Sequence, residues 1–412
     1  MYFNCHNHTE YSNLRLLDCI NKPEDLINKA IEMGLNGVAI TDHEALCAHM
    51  IVNKLAKQYQ TEHPDFTIAL GNEIYLTDTR ESGQKYYHFI LIAKDKIGYR
   101  ALKELSSIAW YNMYVDRHME RVPTLKTELE EVMQRYKGHV IATSACMGGE
   151  LSTNVLLMKK CEDVNDMEGK RWYYNNIVNF IEYCLRVFGE DFYIECAPST
   201  MNDQIVVNRT LQRIAEVYNI KMTVGTDSHY LEAKDRFVHK SYLNSKNGDR
   251  EVDSFYEFSR LMDPTECRTL LKYSFDEDYV TTIFNNSNDL MNRIEFYSLE
   301  QHQDIPRVKV KHYEKGDCTY IPGLIMDTFD FKHKTLQSLL MSDDEQERYW
   351  LQECLKSLHK KGLSDNVEYW DRLEEEARVK RIIGKKLNTC MFAYPNTLQH
   401  YIDLFWRCGS TV

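Results

Sequence analysis

Short apolar runs alternate with helix-like stretches from residue 1 to about residue 235. The runs carry the β-branched and aromatic side chains typical of strands, and they lie at 1–5, 37–41, 67–76, 87–93, 139–144, 192–197 and 220–226. Such an alternation predicts a parallel sheet, open or closed. Seven strands with intervening helices over roughly 230 residues fit a barrel of the TIM type that is one unit short.

The stretches between these runs have the spacing of amphipathic helices. The clearest begins at Pro23, whose ring suits a first helical turn, and ends at Gly34. Glu24 and Asp25 lie at its positive end, where carboxylates are stabilising. Further helices are predicted at about 97–115, 124–136, 171–188 and 202–218.

The pattern changes beyond about residue 240, where strand-like runs fade. Residues 263–275, 276–294 and 334–362 have the pattern of amphipathic helices, and 299–325 is irregular. The sequence therefore predicts an α/β domain at 1–240, a helical linker region at 241–300 and a mainly helical region at 301–412.

Composition and charge narrow the class of protein. With 412 residues, 43% of them hydrophobic, the chain can build more than one core. A net charge of −12 argues against a general nucleic-acid binder, although a local basic strip stays possible. The chain shows no 18-residue apolar run and no signal-peptide pattern. Twelve scattered cysteines without a Cys-x-x-Cys pair indicate reduced thiols, and we expect a cytoplasmic protein with no membrane contact.

Residues able to bind metal ions follow one predicted strand after another. His6 and His8 are two residues apart, so on a strand their side chains share a face. The other strand ends carry Asp42, His43, Glu73, His88, Cys146, Glu195, Asp227 and His229. Strand ends meet at one mouth of a β/α barrel, so these side chains are expected to lie together there.

Each of these signals is weak alone. A single His-x-His pair is more often structural, and His88, Cys146 or Glu195 could each be an ordinary core or ion-pair residue. Taken together, imidazole, carboxylate and thiol groups are the ligands of Zn²⁺, Mn²⁺ and Fe²⁺. A cluster of such ions could act on phosphate esters in an acidic protein. The histidines outside the strand ends, His49, His63, His118 and His139, are predicted to be solvated.

These segments resemble the successive motifs of a known domain family. "HNHTEYS…LLD", "GVAITDHEAL", "GNEIYL", "HFILIAKDKIGYRALKELSS", "IATSACMGGEL", "FYIEC" and "GTDSHYLEAKDRFVH" are similar to the polymerase and histidinol phosphatase (PHP) domain. The version is the one at the N-terminus of bacterial DNA polymerase III alpha subunits, which are family C polymerases. The resemblance covers about 1–240 and implies a distorted seven-stranded β/α PHP barrel, followed here by a mainly helical region.

The resemblance also implies a ligand set for two or three divalent ions (Zn, Mn or Fe, with Mg possible). The nine ligands fall on His6, His8, Asp18, His43, Glu73, His88, Cys146, Asp227 and His229. Those on which hydrolysis would depend are His6, His8, Glu73, Asp227 and His229. Asp18 follows a three-residue insertion relative to the family pattern, which either displaces it or only lengthens the loop. Asp42 is expected to support His43 rather than bind an ion.

The remaining segments extend the resemblance. "SFDEDYVTTIFNNSNDLMNRIEFYSL…IPRV" is similar to the exit from the PHP domain, and 370–412 to the helices where the palm and thumb begin. The palm's Gly-rich motif and its Asp-x-Asp are not among these residues, and "DED" at 276–278 is better explained as a helix cap. The chain is therefore expected to lack a polymerase site of its own, as a truncated polymerase or as the product of a split gene of the kind found in bacteriophages.

Three functions stay open at this point. The first is the N-terminal part of a replicative polymerase, itself a nucleotidyltransferase, in which the PHP domain is a 3′–5′ exonuclease. Its partners would be DNA (a single strand or a primer 3′ end), the remaining palm and fingers, and other replisome subunits. The second is an independent PHP phosphatase acting on a small phosphate monoester, and the third is a non-catalytic structural barrel. The segments 94–105 and 171–176 could guide a strand, but exposed helix faces explain them equally simply.

Overall fold

A computed structural model describes residues 1–81, 83–116, 119–245, 255–301, 304–321 and 332–410 of the chain. The chain divides into two compact units, unit 1 at Met1–Leu299 and unit 2 at Glu300–Val412. The predicted division of the chain into domains at residues 240 and 300 stays a prediction.

Unit 1 is built around a sheet whose main strands lie where the apolar runs predict them. They are β1 (Phe3–Asn4), β2 (Gly37–Ile40), β3 (Thr67–Thr77), β4 (Tyr87–Ala93), β8 (Val140–Thr143), β9 (Phe192–Cys196) and β10 (Met222–Val224). The shorter β5 (Tyr114–Asp116), β6 (Met119–Arg121) and β7 (Thr124–Leu125) were not predicted.

These main strands form a nearly closed barrel in the order β1-β2-β3-β4-β8-β9-β10. The ring is completed by Cys5, whose backbone N–H donates to Val224 O at 3.2 Å, and by a parallel bridge between Asn7 and Ser228. The expectation of an all-parallel sheet is wrong at β4, which runs antiparallel to both β3 and β8. The described residues between β3 and β4 contain no helix, so the chain turns back directly instead of crossing over.

Helices cover the outside of this barrel. They are α1 (Pro23–Glu32), α2 (His49–Glu62), α3 (Lys96–Tyr111), α4 (Lys126–Arg135), α5 (Glu150–Asp163), α6 (Met167–Phe188), α7 (Asn202–Tyr218), α8 (Arg236–Asn244), α9 (Pro264–Leu271) and α10 (Glu277–Met291). Neither α2 nor α5 was predicted. Their buried faces include polar residues, Asn53 in α2 and Asn154 in α5, which blur the apolar stripe.

Successive side chains of a strand point to opposite faces of the sheet, so alternate residues belong to two different apolar clusters. In β4, Ile90 and Ile92 belong to the cluster inside the barrel, whereas Phe89 and Leu91 join the cluster that includes the surrounding helices. All four side chains are fully buried.

The segment 255–299 completes the barrel. Leu290 of α10 joins the interior cluster with Phe3 of β1. The Tyr2 hydroxyl donates to Met262 O at 2.9 Å, and the Phe3 N–H lies 3.4 Å from Ser287 Oγ. Asp276 accepts from the backbone N–H of Tyr279 at 2.8 Å, which confirms the capping interpretation of "DED".

Unit 2 is mainly helical in its described residues, with α11 (Lys334–Leu340), α12 (Glu345–Lys360), α13 (Val367–Leu387) and α14 (Ala393–Arg407). The single helical pattern predicted at 334–362 is split into two helices, because Asp344 caps the start of α12. Leu336, Trp350, Trp370 and Phe392 are central to its core. An α/β barrel followed by a mainly helical region confirms the predicted fold class. Within the described ranges, we find no helix with the length and hydropathy to cross a membrane.

Candidate metal centre

The nine predicted ligands converge at one mouth of the barrel, although they are spread over more than 220 positions of the sequence. The side chains that converge are those of His6, His8, Asp18, His43, Glu73, His88, Cys146, Asp227 and His229. All of them are buried except His88, which is partly exposed. Eight of them, all but Asp18, form three overlapping groups, in which one group shares His8 with the second and Glu73 with the third.

The first group consists of His6, His8, Glu73 and Asp227. Nε2 of His6 lies 3.0 Å from Nε2 of His8 and 2.7 Å from Oε2 of Glu73. Oδ1 of Asp227 lies 3.2 Å from the first of these nitrogens and 3.1 Å from the second. Two imidazole nitrogens and two carboxylate oxygens therefore face one another across a single point.

The second group joins His8, His43 and His229, with Asp18 beside them. Oδ2 of Asp18 lies 3.2 Å from Nε2 of His43 and 3.4 Å from Nε2 of His229. The inserted residues lie in a 3₁₀ turn at Glu10–Leu14 and the residue after it, Arg15. The insertion therefore lengthens the loop and leaves Asp18 at the site.

The third group consists of Glu73, His88 and Cys146. Nδ1 of His88 lies 2.7 Å from Oε1 of Glu73 and 3.5 Å from Sγ of Cys146. The turn of Gly148 and Gly149 fits closely around this histidine, since a Cβ added at Gly148 would lie 2.8 Å from the His88 ring. A thiol, an imidazole and a carboxylate together are suited to Zn²⁺ or Fe²⁺.

Surrounding groups fix the orientation of the histidine rings. Nδ1 of His6 lies 2.7 Å from Oε1 of Glu195, and Nδ1 of His8 lies 3.0 Å from Ser12 Oγ. Nδ1 of His229 lies 2.7 Å from the carbonyl oxygen of Asp227. In each case the opposite nitrogen, Nε2, is left pointing into the cluster. Outer contacts of this kind orient the rings of metal-binding histidines.

Asp42 supports the loop before the site rather than the cluster itself. Its carboxylate accepts from the Thr9 N–H at 2.6 Å and from the Ser12 hydroxyl at 2.8 Å. Ser12 in turn contacts His8, so Asp42 acts on the ligands at one remove, as expected from the sequence.

Charge coupling shifts the pKa values of the clustered groups. Burial favours the neutral form of Glu73 and Asp227, but neighbouring histidines outweigh it and hold both carboxyl pKa values well below their usual range. Burial lowers the pKa of His6, but the nearby Glu195 and Asp227 carboxylates raise it by a larger amount, so the net shift is upward. Burial, with Asp227 and Glu73 nearby, raises the pKa of the Cys146 thiol.

The backbone is strained at three strand ends around the site. Glu44, Ala145 and Asp227 have φ values of 48°, 57° and 48°, in the left-handed region that costs a non-glycine residue about 1–3 kcal/mol. Each is next to a predicted ligand or is one itself. Strain retained in this way is typical of positions that a functional site requires.

The donor set fits divalent cations. In the described part of the chain, ion pairs of Asp18, Glu73 and Asp227 are made with histidines, and none with lysine or arginine. Asp18 Oδ1, Asp227 Oδ1 and His229 Nε2 are buried without a hydrogen bond. Buried polar atoms without a hydrogen bond are costly unless a ligand satisfies them.

Sequence reasoning missed the positions of two histidines near this region, His239 and His49. Glu195, listed among the strand-end residues, forms an ion pair with His6. His239, on α8, lies 2.5 Å from the carbonyl oxygen of Asp18 through its Nε2. The prediction that His49 is solvated is wrong, because it is fully buried at the start of α2. His63 is exposed, His139 pairs with Asp95 at 2.6 Å, and His118 lies outside the described residues.

Comparison with known proteins shows what this chain is similar to. Residues 4–199 match the PHP domain family. The DNA-directed DNA polymerase of Bacillus phage SPbeta is 34% identical over 98% of this chain, which spans 32% of that polymerase. The DNA polymerase III subunit alpha of Aquifex aeolicus is 26% identical over 93% of this chain and 30% of its own length. That of Borreliella burgdorferi is 31% identical over 57% of this chain and 18% of its own length.

The predicted resemblance is thereby confirmed. The chain spans about a third or less of these curated relatives.

Proposed function

This chain carries a PHP domain and is homologous over nearly its whole length to DNA polymerases of a phage and of bacteria, and from this premise we propose that unit 1 hydrolyses DNA phosphodiesters with bound divalent ions. The proposed activity is that of a 3′–5′ exonuclease associated with DNA replication. The observation that carries this proposal is the convergence of the three ligand groups, which share His8 and Glu73 at a single barrel mouth.

The ions would be held by the residues of those three groups, with Asp18 completing the second. Zinc, manganese or iron suits the mixture of imidazole, carboxylate and thiol, and magnesium suits the carboxylates alone. When bound, such ions supply Lewis acidity and lower the pKa of a water molecule, so that no separate general base is required.

The chain's own residues prepare this chemistry. Glu195 accepts the Nδ1–H of His6, which fixes the tautomer whose Nε2 lone pair faces the cluster. The main-chain oxygen of Asp227 does the same for His229. Burial of the Glu73 and Asp227 carboxylates strengthens their attraction for cations, because the low dielectric weakens charge screening. We propose that His6, His8, Glu73, Asp227 and His229 are the residues on which hydrolysis depends.

A direct test compares a 3′-labelled single-stranded DNA with histidinol phosphate as substrates for metal-loaded protein. We expect release of 3′-terminal nucleotides from the DNA and little release of phosphate from histidinol phosphate. Asp227→Asn and His8→Ala should each lower hydrolysis at least a hundredfold, since each removes a charge or donor from the centre. Their far-UV circular dichroism should match that of the parent protein.

The other functions correspond to other outcomes. Preferential turnover of histidinol phosphate would identify an independent phosphatase. Bound metal without turnover of either substrate would identify a structural barrel. Unchanged turnover in both variants would place the chemistry elsewhere in the chain. Homology to polymerases over 98% of the chain favours the exonuclease.

We further propose that unit 2 docks on other parts of a polymerase in the cytoplasm, and that nucleotide transfer is not carried by this chain. One face of α14 exposes Leu398, Tyr401, Phe405 and Trp406. Exposed apolar patches of this kind mark protein contacts, and the relatives extend far beyond the length matched here. Co-expression with the polypeptide that corresponds to the rest of the phage relative should give a stable complex. Replacement of Tyr401 and Phe405 by serine should dissociate it.

A further inference from the structure

A narrow slot opens directly beside the metal centre. Cys146 and Asp227, two predicted ligands, line one side of it, and Met147, Met201 and Phe258 line much of the rest. Counted with the open space at its mouth, the slot has a volume of about 430 Å³. Its enclosed part is smaller and has room for about three water molecules.

The walls of this slot are mainly apolar, unlike the metal centre beside it. Phe258 offers a flat ring, the two methionines offer flexible and polarisable side chains, and Pro198 adds a rigid edge. Four buried polar residues also line the slot: Ser199, Gln204, Thr226 and Ser259. An apolar recess with a few polar groups is the usual composition of a site for a small organic group.

The position of the slot limits what that group can be. Any phosphate bound at the metal centre would lie within one side-chain length of the slot, because Asp227 belongs to both. The slot is therefore within reach of a substituent on that phosphate. The metal centre handles the anionic part of a substrate, and the slot is suited to an uncharged, flat or ring-shaped part.

We propose that this slot binds the nucleoside of the nucleotide whose phosphate is hydrolysed. The sugar and the base lie in the open part of the slot, where the base contacts Phe258 and the methionines. This inference rests on the proposed phosphodiesterase function and adds a substrate class to it, since a nucleotide ester would be preferred over an ester without a nucleoside. Stacking against an aromatic ring tolerates all four bases, so we expect little base specificity.

Two esters with the same leaving group test the proposal. Thymidine 5′-(p-nitrophenyl phosphate) and methyl p-nitrophenyl phosphate both release p-nitrophenolate on hydrolysis, and they differ only in the nucleoside. For the parent protein, kcat/KM should be higher for the thymidine ester. Phe258→Ala should lower that value about tenfold, within the range for loss of one stacked base, and should change the methyl ester by less than twofold. Met201→Ala should act in the same direction.

Matched controls come from exposed residues of the same types. Phe237 on α8 and Met50 on α2 are 80% and 56% exposed, and Phe237→Ala and Met50→Ala should leave both esters unaffected. Phe258→Leu keeps the bulk of the side chain without its flat ring, and it separates stacking from folding. Thermal unfolding and metal content are measured for every variant.

The outcomes separate this inference from the function on which it rests. Equal losses on both esters, or none, in the slot variants would overturn the nucleoside slot while leaving the phosphodiesterase in place. Hydrolysis of neither ester would overturn the phosphodiesterase. The slot is then judged by calorimetry of thymidine 5′-monophosphate against inorganic phosphate on Mn²⁺-loaded protein. Tighter binding of the nucleotide that is lost in Phe258→Ala supports the slot, and equal affinities overturn it.

Discussion

Replacement of Glu195 by glutamine should weaken metal binding without unfolding the barrel. The carboxylate is buried and lies 2.7 Å from both His6 Nδ1 and Thr143 Oγ1. Glutamine has nearly the same shape, so the Thr143 contact can persist, but the charge that orients and polarises the His6 ring is lost. A hydrogen bond to a charged group contributes about 1.5–3 kcal/mol. Loss of such an outer partner typically lowers metal affinity about 10–100-fold.

We expect the conservative variant to lie at the low end of that range. Glu195→Gln should raise the metal Kd about tenfold, and Glu195→Ala, which also leaves a cavity, about a hundredfold. Metal affinity is measured by competition with a chromophoric chelator at fixed pH, and apo-protein stability by urea unfolding. Glu131→Gln is the matched control, because that side chain is 73% exposed on α4. A metal Kd within twofold of the parent in Glu195→Gln would refute the positioning role.

Three further predictions concern folding and metal content. Gly225→Ala should weaken metal binding and lower the free energy of unfolding by about 1–3 kcal/mol, because its Cβ would lie 2.1 Å from Glu195 Oε1; a parental urea midpoint would contradict this. Burial lowers the pKa of His49 to about 4, so the unfolded chain takes up a proton first as the pH falls from about 6.5 to 4. His49 should therefore remove about 2 kcal/mol of stability between pH 7.5 and 5, so the parent should lose about that much more than His49→Leu over this range, and identical pH dependence of urea unfolding in the two would disprove it. Chelation should lower the thermal midpoint and re-addition of metal should restore it, since a ligand that binds only the native state stabilises it; a midpoint insensitive to both would argue against bound metal.

The strand positions and the convergence of the site were predictable because both depend on short-range patterns. A buried strand reveals itself by its apolar run, and a ligand by its place at the end of that run. Once the chain closes into a barrel, His6 and Asp227 must meet, although 220 residues separate them. The role of each ligand stays a prediction, because proximity alone does not establish a bound ion.

The rest depends on pairings that a single sequence does not contain. β4 runs antiparallel to β3. The turn-like residues of the connection before β4 are compatible with a parallel or an antiparallel strand, so the sequence alone does not give its direction. Glu195 could have paired with any basic group, and only the closed barrel brings it to His6. The burial of His49 results from packing near Tyr99, 5.6 Å away between ring centres, and its local sequence resembles an exposed helix start.

Closure of the barrel by α10 has a practical consequence for anyone who wishes to produce unit 1 alone. A shortened protein that stopped at residue 240 would keep every predicted ligand but would lose Leu290. The apolar cluster inside the barrel, which includes Phe3, would then be exposed to water. The hydroxyl of Tyr2 would also lose its acceptor at Met262. A truncation near residue 299 retains this apolar packing, so the smallest fragment expected to fold alone is longer than the segment that carries the recognisable motifs.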